Sequence, residues 1–265
     1  MATDVQSASS DATIQAAVAD QPVPRGQGLG RYLAMPAFLI VVCVALYLYV
    51  SSQELDAIEA VRLTPEFILT STLRHLYLVG VSTFFVIILA IPFGILLTRP
   101  FMRRFTPTIV AVTSTMQSIP SIGVIVMLAL FIDFGVRVAI IALVVYAFVP
   151  VLRNTMVGLQ QVDEAVIEAG RGMGMTKRAV LGRIELPLAV PIMLAGVRTA
   201  LVINVGTAAI AVLINSGGLG DIIYTGLVQN RNIVTLTGAV LTGVLALLVD
   251  YVAGIAEDVL RPRGL

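Results

Sequence analysis

Long apolar runs alternate with short polar intervals along most of the chain, and the runs have membrane-crossing length. The first covers 33–50; at about 1.5 Å of rise per helical residue it crosses most of a hydrocarbon core about 30 Å thick. The second, 76–97, contains Pro92, which a membrane helix tolerates where neighbouring helices or hydroxyls satisfy the freed carbonyl. The third, 108–132, is interrupted by Gln117-Ser118-Ile119-Pro120-Ser121-Ile122-Gly123. A helix breaker and polar groups at that depth need protein or a watery cavity around them, so the break is expected to face the bundle interior. A fourth run, 138–152, ends at Pro150; a fifth opens at Pro187 and reaches Ile214; a sixth fills 236–256. The pattern predicts an all-α polytopic membrane protein of about six transmembrane helices.

The polar intervals are uneven. Residues 1–30 hold too few apolar side chains to offset the entropy of ordering, which predicts a disordered tail. The tail lacks a basic start, and the run after it is too long for a signal-peptide core, so it does not read as a secretory signal. Residues 51–74, with Glu54, Asp56, Glu59, Arg62 and Glu66, read as an external loop with room for a short surface helix. Residues 133–137 make a turn. Asn215-Ser216-Gly217-Gly218-Leu219-Gly220-Asp221 and Asn230-Arg231-Asn232 form an external glycine-rich loop, and the longest polar interval is 153–187. No internal repeat is visible, which counts against folds built from two inverted halves.

Composition agrees: 58% hydrophobic and 12% charged residues leave a soluble domain too little polar surface to cover itself. The net charge of +1 conceals an asymmetry. With the amino terminus inside, the cytoplasmic segments hold Arg25, Arg31, Arg99, Arg103, Arg104, Arg153, Arg171, Lys177, Arg178, Arg183, Arg261 and Arg263; the other side holds Arg62, Arg74, Arg137 and Arg231. Because Lys and Arg are retained on the cytoplasmic side, both termini are placed there, and so is the 153–187 loop within one transmembrane domain, 31–265. The protein is therefore expected as a multi-pass protein of a plasma membrane. Nucleic acid is not an implied partner. Cys43 alone cannot form an intrachain disulfide and reads as apolar filler. His75, at the mouth of a span, reads as interfacial, and no metal site is indicated.

The 153–187 loop has helical spacing. Val166, Ala169 and Met173 fall on one face of 163–173, with Glu164, Glu168 and Arg171 around them. Gly170, Gly172 and Gly174 weaken this helix, and Gly174 is placed to end it in the left-handed conformation. Thr176 can cap a second short helix, 177–185, before Pro187 opens the fifth span where its missing N–H costs little. The result is a stiff cytoplasmic knuckle. On these grounds alone, an ordinary loop with surface helices explains the stretch equally well.

The order Glu168, Ala169, a small residue, three others, Gly174, nine others, Ile184, one other, Leu186, Pro187 resembles the EAA loop of bacterial ABC importer membrane subunits. Its one departure is Gly170, where that family usually has a second alanine. The resemblance implies that Glu168, Ala169, Gly170 and Gly174 form the corner that docks in a cytoplasmic ATPase, with Ile184, Leu186 and Pro187 seating it against the moving span. Gln117-Ser118-Ile119-Pro120-Ser121, Ala195-Gly196-Val197-Arg198-Thr199-Ala200, Asn204-Val205-Gly206-Thr207-Ala208 and Gly217-Gly218-Leu219-Gly220-Asp221 extend it. Over about 73–265 the chain resembles MetI-like permeases of osmoprotectant importers for glycine betaine, choline or carnitine. Methionine-type importers share the Gly-Gly-Leu-Gly loop and stay open as an alternative. The resemblance implies a cytoplasmic ABC ATPase dimer as partner, a second permease copy or homologous permease, and a periplasmic or lipid-anchored substrate-binding protein. It further implies that ATP and Mg²⁺ belong to the ATPase, with no cofactor in this chain.

Other residues have two readings. Arg198 lies about 15 Å into the fifth span, where an unpaired charge is costly, and Asp250 in the sixth is the expected partner in a structural ion pair. Gln117, Ser118 and Ser121 with Asn204, Thr207 and Asn215 could line a neutral hydrophilic path, although interhelical hydrogen bonds explain each singly. The chain has no Trp. A quaternary ammonium is best held by aromatic faces, so tight capture is assigned to a separate binding protein. The chain is not expected to be an enzyme: the glycine loop after Asn215 lacks a P-loop lysine, and no carboxylate cluster suits catalysis. An ion-coupled secondary transporter, the rival class, would want intramembrane carboxylates, and Asp250 is nearly alone.

Overall fold

The computed structural model describes residues 29–102 and 104–260, and all regular structure among them is helical. The expected tail, apart from its last two residues, lies outside the described residues, as do Arg25, Arg103, Arg261 and Arg263. The chain divides into two units at Ile40 and Val41. The described part of the first is the beginning of helix α1 (Leu29–Ser51), which is apolar and long enough over Tyr32–Ser51 to cross a membrane.

In the second unit, the polar segment after α1 is ordered by two caps. Asp56 Oδ1 accepts from the N–H groups of Ile58 and Glu59, both at 2.9 Å, while Glu59 Oε2 accepts from Asp56 N–H at 3.1 Å; this reciprocal box starts α2 (Ala57–Arg62). Thr64 then caps α3 (Pro65–Leu97), with Pro65 in the first turn where its missing N–H is harmless. The second span thus begins at Pro65, whereas the apolar run suggested 76. Hydropathy marks where a helix meets lipid; the cap marks where it starts.

The third span is broken as expected. Helices α4 (Thr106–Ser118) and α5 (Ser121–Phe131) meet at an angle of 96° across Ile119 and Pro120. The break does not face the interior of the chain: Ser118, Ile119 and Pro120 are exposed, and α4 buries no residue. It is held from the next helix, α6 (Val136–Gln160), by Tyr146, whose hydroxyl donates to Ile119 O at 2.8 Å. Helix α6 runs through Pro150 instead of ending there. Pro150 is buried among neighbouring helices, so packing holds a backbone that proline alone would break.

After α7 (Glu164–Gly172), helix α8 (Lys177–Val180) leads through a π turn, Leu181–Glu185, into α9 (Leu186–Ile210), which closes with the tight turn Ala211–Ile214. Pro187 lies in the first turn of α9 as expected, but the helical stretch Lys177–Ile214 runs into it without a gap. Leu186 N–H reaches back to Leu181 O, a five-residue step that absorbs the donor missing at Pro187. Helix α10 (Leu219–Val228) stands where only a glycine-rich loop was expected, and α11 (Asn232–Leu260) completes the bundle. Among the described residues, five helices have the length and apolarity of spans, or six with the bent pair counted as one.

Helices α3, α6 and α9 pack on one another, α11 packs on α9, and α10 fits against α11, α3 and α9. The upper core gathers Leu78, Val79, Leu143, Val205, Ile214, Leu219 and Ile222; the lower one gathers Val86, Leu97, Val151, Leu152 and Met156. Close approach relies on small residues, as in membrane bundles generally. A Cβ on Gly220 would sit 2.1 Å from Ala209 O, so only glycine lets α10 lie against α9.

Candidate coupling and transport sites

Asp163 Oδ1 caps α7 by accepting from Ala165 N–H at 2.8 Å. At the other end the chain turns through Gly174 at φ +84°, with Met175 N–H bonded to Gly170 O at 3.1 Å and Gly174 N–H to Arg171 O at 2.9 Å. Thr176 Oγ1 then accepts from Ala179 N–H at 3.3 Å and starts α8. Gly170 is the buried residue of α7: a Cβ there would lie 2.6 Å from Ile184 Cδ1, so the position where alanine was anticipated is the point where α7 rests on the rod. Glu168, Ala169 and Gly174 are exposed, as are Val166 and Met173, the latter at 77%. Ile184, Leu186 and Pro187 are half-buried, and Leu186 packs against Leu159, Ala189 and Met193. The corner therefore presents an apolar face outward and is wedged inward against the helix that becomes α9.

A second linkage ties the rod to α3. Arg99, just past the end of α3, donates to Glu185 Oε2 at 2.7 Å from Nη2 and to Oε1 at 3.4 Å from Nη1, and Glu185 is buried. Deeper in the bundle, Arg198 on α9 donates to Asp250 on α11 through Nε at 2.5 Å and Nη2 at 2.6 Å, with Glu257 at 3.8 Å from Nη1. The structure brings the two predicted partners together in a bidentate pair, and Gly254 leaves the guanidinium room, a Cβ there lying 3.3 Å from Nη1.

The six residues considered for a path do not converge. Asn204 is fully buried and donates to Ser82 Oγ and Thr83 Oγ1 on α3, both at 3.0 Å, leaving its own Oδ1 without a partner; Thr207 is buried beside it on α9. Gln117, Ser118 and Ser121 stand at the surface break, and Asn215 is exposed in a left-handed turn at φ 63°. His75 is not interfacial; it is wholly buried. Its Nδ1 accepts from Leu219 N–H at 3.2 Å, so the proton sits on Nε2, which donates to Val205 O at 3.0 Å. With Arg74 Nε donating to Ser216 O at 3.2 Å, it clamps the glycine loop to α3.

The family described as the binding-protein-dependent transport system inner membrane component matches residues 90–263. The chain belongs to this family. The permease is 39% identical over 197 residues to the glycine betaine/carnitine/choline transport system permease OpuCD of Bacillus subtilis, covering 74% of this chain and 85% of that one. It is 38% identical over 190 residues to the carnitine transport permease OpuCD of Listeria monocytogenes (71% and 84%). It is 37% identical over 213 residues to the osmoprotectant import permease OsmY of Salmonella typhimurium (80% and 89%). Among solved structures it resembles the inward-facing MetNI methionine ABC transporter with a TM-score of 0.68 at 26% identity, over 74% of this chain and 96% of that one. It is thus a permease subunit of an ABC importer with a MetI-like fold, and its apolar helices suit a multi-pass membrane protein.

Sequence reasoning on the permease missed His75, Ser82, Thr83 and the Arg99–Glu185 pair. A signal existed for three of them: His75, Ser82 and Thr83 share the buried stripe of α3 with Leu78, Val79 and Val86 at helical spacing. Nothing local in the sequence links Arg99 to Glu185, which lie 86 positions apart.

Proposed function

We propose that the permease carries osmoprotectants of the glycine betaine, choline or carnitine class across the bacterial plasma membrane, driven by a separate cytoplasmic ATPase dimer that docks on the α7 corner. The observation that carries this is the corner's construction. Val166, Ala169 and Met173 are exposed on a helix wedged through Gly170 against a rod that continues without a break into α9. A push on α7 is delivered to Ile184, Leu186 and Pro187 and from there along the span, while Glu168 and Gly174 shape the docking surface. ATP and Mg²⁺ belong to that ATPase, which does the hydrolysis. The substrate class rests on relatives named for carnitine, choline, glycine betaine and osmoprotectants.

Both termini and the corner lie in the cytoplasm. The pattern of pairing supports this orientation: on the external side Arg62 is paired with Asp221 and Arg231 with Asp56, whereas Arg171, Lys177, Arg178 and Arg183 form no ion pair among the described residues. The exposed break at Ser118 and the exposed stripe of α9 at Thr199, Val202 and Gly206 fit a second permease copy or a homologous permease, with the path between the two. A periplasmic or lipid-anchored binding protein delivers the solute to the glycine loop.

Transport in proteoliposomes holding this chain, its ATPase and its binding protein tests the reading. Uptake of labelled betaine, choline or carnitine should need ATP and fall at least tenfold in Gly174→Asp or Glu168→Lys while the chain stays folded. Uptake by this chain alone on an ion gradient overturns it, and uptake of methionine in preference to betaine overturns the substrate class.

A further inference from the structure

At the cytoplasmic base of the spans lies a cavity of about 200 Å³ whose polar lining is Arg99, Arg171, Lys177, Arg178 and Glu185. Arg99 and Glu185 neutralise each other. Three cations remain, exposed and without an ion pair among the described residues. A second cavity of about 780 Å³ shares Arg99, Arg171 and Glu185 with the first. Leu97, Pro107, Val110, Leu159, Val162 and Ile167 give it apolar walls, interrupted by Thr98, Thr106, Gln160 and the additional carboxylate Glu164. Together the two have an amphiphile's layout, basic at one end and oily along the other.

The face of α7 that lines them is not its exposed apolar face, although Glu168 falls on the cavity side beside Glu164. At about 100° per residue, Glu164, Ile167 and Arg171 fall on one side of the helix and Val166, Ala169 and Met173 on the opposite side. An ATPase seated on the outward face leaves the inner one to the membrane.

We propose that this pair of cavities binds an anionic phospholipid. Its headgroup phosphate is held by Arg171, Lys177 and Arg178, and its glycerol and proximal acyl carbons lie along the apolar walls. Guanidinium and ammonium groups recognise phosphate by charge-assisted hydrogen bonds, and basic pockets beside membrane helices collect anionic headgroups. The lipid would brace α7 against the bases of α3 and α6. The inference depends on the orientation proposed above only for the choice of leaflet.

Purified full-length permease, alone and assembled with its ATPase, is titrated with phosphatidylglycerol, with phosphatidylcholine and with inorganic phosphate, following retained lipid by native mass spectrometry and thermal stability in parallel. Phosphatidylglycerol should be retained as a discrete adduct and raise Tm where phosphatidylcholine does not. The triple change Arg171→Gln, Lys177→Gln and Arg178→Gln should weaken it at least tenfold. The charge-preserving Arg171→Lys, Lys177→Arg and Arg178→Lys should keep it, and so should Arg183→Gln, an exposed cation outside the cavity. Equal retention of both lipids, or a triple glutamine variant that binds like the parent, overturns the proposal. Stabilisation by inorganic phosphate with no preference between the lipids gives the site to a soluble anion and overturns the lipid assignment. Loss of bound lipid on adding the ATPase gives the pocket to the partner and overturns it as well. None of these readouts is transport, so they fail or succeed independently of the substrate reading.

Discussion

Single polar residues inside this bundle act chiefly as ties between helices. Asn204 spends its two N–H groups on Ser82 and Thr83. Asn204→Ala removes both bonds, and interhelical bonds of this kind in membrane proteins contribute about 0.6–2 kcal/mol. Its thermal unfolding midpoint in detergent should fall by a few degrees while ATP-driven uptake per folded molecule stays near the parent's; lost uptake with unchanged Tm would instead place Asn204 on the path. Arg198 and Asp250 differ in being charged and only partly screened from solvent, at 40% and 32% side-chain exposure. Asp250→Asn leaves the guanidinium short of a counter-charge, though Glu257 remains at 3.8 Å. With that exposure the expected loss is about 1–3 kcal/mol, below that of a fully buried pair. The exchange Arg198→Asp with Asp250→Arg should recover part of it, measured by the same unfolding. Outside the membrane, Asp56 is the group whose titration has a readable sign. The Glu59 N–H bond, with Arg231 and Ile58 N–H assisting against some desolvation, holds its carboxyl below the ordinary 3.8. Its contribution to α2 is complete above that ordinary value and is lost as pH falls through the lower folded one. Hydrogen exchange at Ile58 and Glu59 should therefore be protected above the ordinary 3.8 and lose protection as pH falls through the lower folded value, and Asp56→Asn should flatten that dependence.

Whole elements were legible where local chemistry announces itself. The cap at Asp163, the turn at Gly174 and the cap at Thr176 each have a sequence mark and each is in place. The π turn was not legible, because Pro187 marks equally well a helix start or an interior proline, and what decides is the register of Leu186 N–H on Leu181 O. Pro150 misled for the same reason: its neighbours in space keep α6 continuous through it, and they are remote in sequence. Helix α10 hid behind Gly217, Gly218 and Gly220, which read as loop. The first two supply positive φ before the helix, and the third supplies contact within it. That contact makes a sharp test. Gly220→Val would drive a side chain into Ala209 O, and overpacking a tight helix pair costs about 1–3 kcal/mol or more. Because α10 also takes the His75 bond at Leu219, the expected result is lower Tm and faster proteolysis around α10, with the α7 corner unaffected.

The whole molecule leaves unburied what a lone chain in lipid would not leave polar. Along α9, Thr199, Val202 and Gly206 are exposed at helical spacing, and Ser118 with Pro120 opens the broken span on the surface. Elsewhere the exposed stripe is bulky and apolar, as on α3 with Leu69, Leu73, Tyr77 and Phe84. Small and weakly polar residues are what helix interfaces in membranes use, since they let backbones approach and offer hydrogen bonds where lipid cannot. If a second permease chain is the partner, as proposed above, this difference puts its contact at α9 and the break, with α3 left to lipid. The absence of any second cysteine permits a clean test. In a Cys43→Ser background, Gly206→Cys should give, on treatment of native membranes with a short bifunctional maleimide, a species containing two permease chains. Tyr77→Cys, 52% exposed on α3, should remain monomeric under the same treatment. Equal cross-linking of the two would mean random collision in the bilayer, and cross-linking of Tyr77→Cys alone would move the partner surface to α3.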